Sequence, residues 1–106
     1  MAFLAEGVVV EAKLDKGRGP VATVLTFNDA DEAAMIANDT AFGLASGLWT
    51  NDLKKAHTFA RRIKAGTVWI NTYNMTDNAL PFGGYKESGF GREGGLHGLM
   101  SYLSLE

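Results

Sequence analysis

The sequence predicts an α/β fold: a small three- to four-stranded sheet of parallel crossovers plus an N-terminal hairpin, with two crossover helices and a C-terminal helix. Two valine-rich, β-branched runs, Gly7 to Leu14 and Pro20 to Phe27, flank the turn residues Asp15-Lys16-Gly17-Arg18-Gly19 and read as a hairpin. After it, helical and strand patterns alternate, the order in which helices join parallel strands, so the free arm of the hairpin is expected as an antiparallel edge.

Asn28 or Asp29 is placed to cap a first helix running to Asn38. Ala30, Ala33, Ile36 and Ala37 lie on one face, and Asp31 and Glu32 sit in the first turn where the helix dipole favours acids. Leu44 to Thr50 is apolar with small residues and fits a buried strand. Asn51 or Asp52 opens a second helix with Leu53, Ala56, Phe59 or Ala60, and Ile63 inward, and Lys54, Lys55, Arg61 and Arg62 outward. Gly66 stops that helix, and Thr67-Val68-Trp69-Ile70 is the next strand. From Thr72 to Gly95 no periodicity is visible, and six glycines (83, 84, 89, 91, 94 and 95) crowd its end. So long a loop inside a small domain marks a functional segment or one removed from its setting. Leu96, Leu99, Met100 and Leu103 then recur at helical spacing.

The chain has 106 residues, enough for one core, with 46% hydrophobic and 21% charged residues. Its net charge of −2 offers no positive field, so neither nucleic acid nor an anionic membrane is expected as a partner. No apolar run approaches the roughly 20 residues of a membrane span, and Met1 to Glu6 is too short and acidic for a secretory signal, which makes a cytoplasmic setting the expectation. There is no cysteine, hence no disulfide, thiolate metal site or cysteine nucleophile in this segment. His57 and His97 lie forty residues apart without a carboxylate at ligand spacing, so no metal site is expected. Trp49 and Trp69 fall on strands and read as core, while Glu87 and Glu93 read as solvated carboxylates.

The string Pro81-Phe82-Gly83-Gly84-Tyr85-Lys86-Glu87-Ser88-Gly89-Phe90-Gly91-Arg92-Glu93-Gly94-Gly95 resembles the C-terminal signature of NAD(P)-dependent aldehyde dehydrogenases. The resemblance continues upstream through Ile36 to Thr40, Gly43 to Thr50 and Ala65 to Asn71, and covers roughly Gly19 to Tyr102. Residues 7–25 resemble instead the opening hairpin of the β-barrel of bacterial translation initiation factor two, the two families sharing the string Gly19 to Val24. The resemblances together imply a single chimeric domain over 1–106, with 1–18 a foreign hairpin segment and 19–106 dehydrogenase-like.

By resemblance, Phe82 matches an aromatic lining the aldehyde tunnel, although packing against the core is its expected use. Lys16, Gly17 and Arg18 stand where the family usually carries a Glu-x-Phe string whose glutamate binds the cofactor ribose. Gly83, Gly84, Lys86 and Arg92 are candidates for a nest that binds an anion, but the loop lacks the strand and Gly-Lys-Ser/Thr ending of a P-loop. With no cysteine thiolate and no Gly-x-Gly-x-x-Gly after a strand, the nearest glycine clusters lying in the late loop, the sequence taken alone leads to the expectation of an engineered or recombined, non-catalytic domain. That reading has no cofactor and no small-molecule substrate. The alternatives are residual nicotinamide or anion binding and a designed binding module. Self-association is the one activity expected, with a homodimer favoured, because edges and apolar surface covered in the family are bare here.

Overall fold

The computed structural model describes residues 2–5, 8–15 and 19–104, with side chains from residue 22 onward. The turn at residues 16–18, with the positions matched to the ribose contact, lies outside the described residues. Strands β1 (Ala2–Ala5), β2 (Val8–Asp15) and β3 (Gly19–Thr26) are followed by helix α1 (Ala30–Asn38), strands β4 (Phe42–Gly43) and β5 (Ala45–Leu48), and helix α2 (Leu53–Ala60). Strands β6 (Thr67–Ile70) and β7 (Tyr85–Lys86) and helix α3 (Gly95–Met100) complete the order.

The α/β class and the hairpin are as the sequence predicts; the sheet is larger. It has five strands in the order β3-β2-β1-β5-β6, and β4 pairs with β7 in a separate two-stranded ladder. β2 and β3 pair antiparallel from Val8 opposite Thr26 to Asp15 opposite Gly19. The difference is β1, a four-residue strand inserted between hairpin and crossovers, antiparallel to β2 and parallel to β5. β3 is therefore the outer edge, and the crossover through α1 passes over two strands to reach β5. So short a strand carries no turn signal of its own, and its pairing comes from long-range contacts that periodicity does not register.

Both helices begin where a side-chain cap is available. The Asp29 carboxylate accepts from the backbone N–H of Asp31 (2.9 Å) and of Glu32 (2.8 Å), and Asp52 accepts from the Lys55 N–H (2.9 Å). Ala33, Ala34 and Ala37 of α1 meet Ala56 and Phe59 of α2, Ile63 beyond it and Leu48 of β5 in one buried cluster, with Val68 and Ile70 packed from below. Alternation along β6 sends Trp69 to the other sheet face, beside Gly47 in the ladder and under the following loop. There its indole N–H donates to the Met75 carbonyl (2.8 Å), and its ring meets Tyr73 edge-on at 5.3 Å. The small residues of β5 thus serve both faces, and all four are buried.

Three core expectations need correction. Leu53 is 73% exposed because the turn that caps α2 carries it past the sheet. β5 ends at Leu48, so Trp49 lies beyond the strand, and the apolar stripe Leu96, Leu99, Met100 and Leu103 at α3 is exposed. Of the residues of α3 Gly98 is buried, against Glu93, and the apolar stripe faces away from it.

Truncation should separate these classes. Phe59→Ala and Ile63→Ala each cost about 2–5 kcal/mol as buried large-to-small changes do. Leu53→Ala stays within about 0.5 kcal/mol as an exposed substitution. Urea denaturation of the three variants followed by tryptophan fluorescence checks the ranking.

Candidate functional site

The segment between β6 and α3 is held at successive points by backbone and short side chains. Asn71, at φ 54°, leaves β6 by pairing both amide ends with Thr50, accepting from its N–H and donating to its carbonyl, each at 2.9 Å. Asp77 accepts from the Ala79 N–H (2.8 Å), and the Gly95 N–H reaches back to the Asn78 carbonyl (2.9 Å). Phe82 and Glu93 exchange both backbone bonds, at 2.7 and 2.8 Å, so residues 83–92 form a closed excursion with Phe82 at its root. Phe82 is half-buried and is not part of the helix-faced core cluster.

Two close approaches fix where that excursion sits. Gly66 lies so near the Gly83 carbonyl that a Cβ there would overlap it, and the Gly66 N–H donates to the Gly43 carbonyl (3.1 Å). β7 pairs with β4, Phe42 opposite Lys86 and Gly43 opposite Tyr85. The Glu87 N–H donates to the Ala41 carbonyl (3.0 Å), and the Gly43 N–H donates to Ser88 Oγ (3.0 Å).

The loop cations are occupied by these contacts. Lys86 Nζ donates to the carbonyls of Asn38 and Thr40, both at 2.9 Å. The Arg92 guanidinium donates to the carbonyls of Gly91 (2.8 Å) and Phe90 (3.3 Å) and stands 5.6 Å over the Tyr85 ring. Gly83 lies against Arg92, and Gly84 is buried against Ser88. Of the four residues proposed from sequence for an anion nest, Gly83 and Arg92 lie side by side, Gly84 lies against Ser88, and both cations are directed at carbonyl oxygens, that of Lys86 at the end of α1. Glu87 and Glu93 are exposed, and among the described residues no group of three metal-ligating side chains occurs. No helix among them is long and apolar enough to cross a membrane.

A groove of about 840 Å³ opens beyond the carboxyl ends of the parallel strands β3 and β5, between Phe27, Trp49, Thr50, Lys55 and Phe59. Open α/β sheets bind ligands at such a position. Here Asp29 accepts from the N–H groups of Asp31 and Glu32 and Asp52 from that of Lys55, and the two carboxylates would repel a pyrophosphate.

The model of the aldehyde dehydrogenase family matches residues 17–106. The chain belongs to the aldehyde dehydrogenase family. It is 58% identical over 85 residues to the NAD(P)+ aldehyde dehydrogenase 1 of Saccharomyces cerevisiae, covering 80% of this chain and 17% of that protein. It is 52% identical over 88 residues to a betaine aldehyde dehydrogenase of Brucella anthropi, covering 83% of this chain and 18% of that protein. Among solved structures it superposes on an NAD+ complex of a Bacillus cereus aldehyde dehydrogenase with a TM-score of 0.77 at 47% identity, over 86% of this chain and 18% of that one. An indole-3-acetaldehyde dehydrogenase complexed with NAD+ gives a TM-score of 0.78 at 49% identity, over 88% of this chain and 19% of that one.

Membership corrects the expectation of an engineered domain that is not part of an enzyme: the relatives are aldehyde dehydrogenases, and the likeness is continuous across most of the chain. The non-catalytic part of that expectation rested on the missing thiol and on the lack of a Gly-x-Gly-x-x-Gly placed after a strand. A segment spanning under a fifth of its relatives need not hold every group their chemistry uses, so those absences say nothing about the family's activity.

The Gly66 contact is directly testable. Gly66→Ala should destabilise by about 1–3 kcal/mol, as overpacking does, although Gly66 is itself exposed. Gly91→Ala, where an added Cβ meets nothing within 4 Å, should cost less. Thermal unfolding of both variants tests the contrast.

Proposed function

We propose that this chain is a segment of an aldehyde dehydrogenase catalytic domain and that it supplies one wall of the aldehyde site through Phe82. The carrying observation is the double backbone bond between Phe82 and Glu93, which fixes the root of the signature loop, with Phe82 half-buried and apart from the helix-faced cluster. An aromatic face held this way excludes water beside an apolar substrate and costs little entropy on binding. The described residues supply position and surface, and no hydride or nucleophilic step is assigned to them.

A segment exchange tests this reading. Replacing the matching segment of the Saccharomyces cerevisiae relative with residues 19–103 should leave NAD(P)+-dependent aldehyde oxidation measurable. Within that hybrid, Phe82→Ala should raise the KM for an apolar aldehyde about tenfold or more, the scale on which an apolar pocket discriminates. A hybrid that folds like its parent but oxidises no aldehyde contradicts the proposal.

The exposed stripe of α3, with Phe90 at 99% and Tyr102 at 88% exposure, supports a second property of the isolated chain, pairing with another copy. Light scattering at micromolar concentration should give twice the monomer mass; a monomer contradicts it.

A further inference from the structure

We infer that Lys86 is a positioning residue, the anchor that sets the height of the Phe82 loop against the C-terminal end of α1; its catalytic consequence rests on the reading of Phe82 given above. The last carbonyls of a helix lack intrahelical partners and carry partial negative charge, which a cation nearby relieves. The last turn of α1 contains no basic residue. Lys86, 48 residues further along from Asn38, provides that charge, with one ammonium shared by the carbonyls of Asn38 and Thr40. Such charge-assisted bonds are stronger than neutral ones.

The backbone is shaped to deliver it. Lys86 sits at φ 54°, a left-handed conformation that costs a non-glycine residue on the order of 1 kcal/mol. The same twist aligns its neighbours, since Glu87 N–H meets Ala41 and Ser88 Oγ meets Gly43 on the segment that Lys86 clamps. Asn38 is itself fixed from the other side, donating from Nδ2 to the Arg62 carbonyl (2.9 Å) and accepting at Oδ1 from the Lys64 N–H (2.8 Å). Its carbonyl is thus a rigid target. Lys86 spans from that target to the excursion rooted at Phe82 and Glu93, and Gly66 against Gly83 bars the excursion from moving inward. Without the ammonium, the two residue pairs of β4 and β7 and the Glu87–Ala41 and Gly43–Ser88 bonds are left as the lateral hold.

Amide hydrogen exchange on this chain, comparing Lys86→Met and Lys86→Arg with the original, tests the anchor. Lys86→Met keeps the apolar stem and removes the donor. The Glu87, Phe82 and Glu93 amides should exchange about tenfold faster as the loop opens locally. The Asn71 amide, bonded to the Leu48 carbonyl in the sheet, should be unchanged. Lys86→Arg, which keeps the cation, should retain most of the protection. Unchanged loop amides in Lys86→Met, or equal acceleration of loop and sheet, overturn the anchor.

In the hybrid dehydrogenase, Lys86→Met should raise the aldehyde KM by a larger factor than it lowers kcat, through displacement of Phe82. An unchanged KM in an active hybrid overturns the positioning role. A hybrid inactive with Lys86 intact counts against the proposed function alone, and the exchange experiment still decides the anchor.

Discussion

The carbonyl-rich corner at the end of α1 is the contact on which the second half of the molecule is assembled. Asn38 closes the helix and makes three bonds to distant groups: its side chain donates to the Arg62 carbonyl and accepts from the Lys64 N–H, and its carbonyl takes the ammonium of Lys86. Gly43, a few residues on, receives the Gly66 N–H and gives its own N–H to Ser88. Helix, sheet and signature loop therefore share one set of backbone groups within a six-residue stretch, from 38 to 43. Buried or crowded backbone groups must be paired, so each connection constrains the others.

This arrangement explains why a stretch without periodicity is nevertheless specified. Its order comes from glycines that admit contact at van der Waals distance and from polar groups that end on carbonyls rather than from an apolar face. Gly66 is the clearest case. The sequence reads it as the stop of α2, but α2 ends at Ala60 with Arg61 as its cap, and the structure sets Gly66 against Gly83 instead, a contact that no local pattern encodes. Six glycines in the loop look like flexibility, but where Gly83 and Gly84 lie they permit close packing.

The elements with local chemical signals were legible in the sequence. Asp29 and Asp52 cap the two crossover helices at the predicted positions, and Thr67–Ile70 is a strand with the predicted bounds. What depended on distant partners was not: β1, the two-residue strands β4 and β7, and the exposure of Leu53 and of the α3 stripe. Lys86 and Arg92 drew attention as cations near glycines, the residue types of an anion nest. Their partners are backbone carbonyls, one set 48 and 46 residues distant, and sequence spacing holds no trace of such acceptors. Family membership was legible in the Pro81 to Gly95 string, whereas the inference from missing residues to missing function failed because it treated a segment as a whole.

The described residues present a half-buried aromatic, Phe82, on a loop with hydrogen-bonded roots and a cationic brace. The most direct check is a nuclear Overhauser spectrum of the isotope-labelled chain. Cross-peaks joining Gly66 to Gly83 and Gly84, and Phe42 to Lys86, are expected together with the Phe82–Glu93 amide contact. A chain whose sheet contacts between β5 and β6 are present while all of these loop contacts are missing would contradict the account.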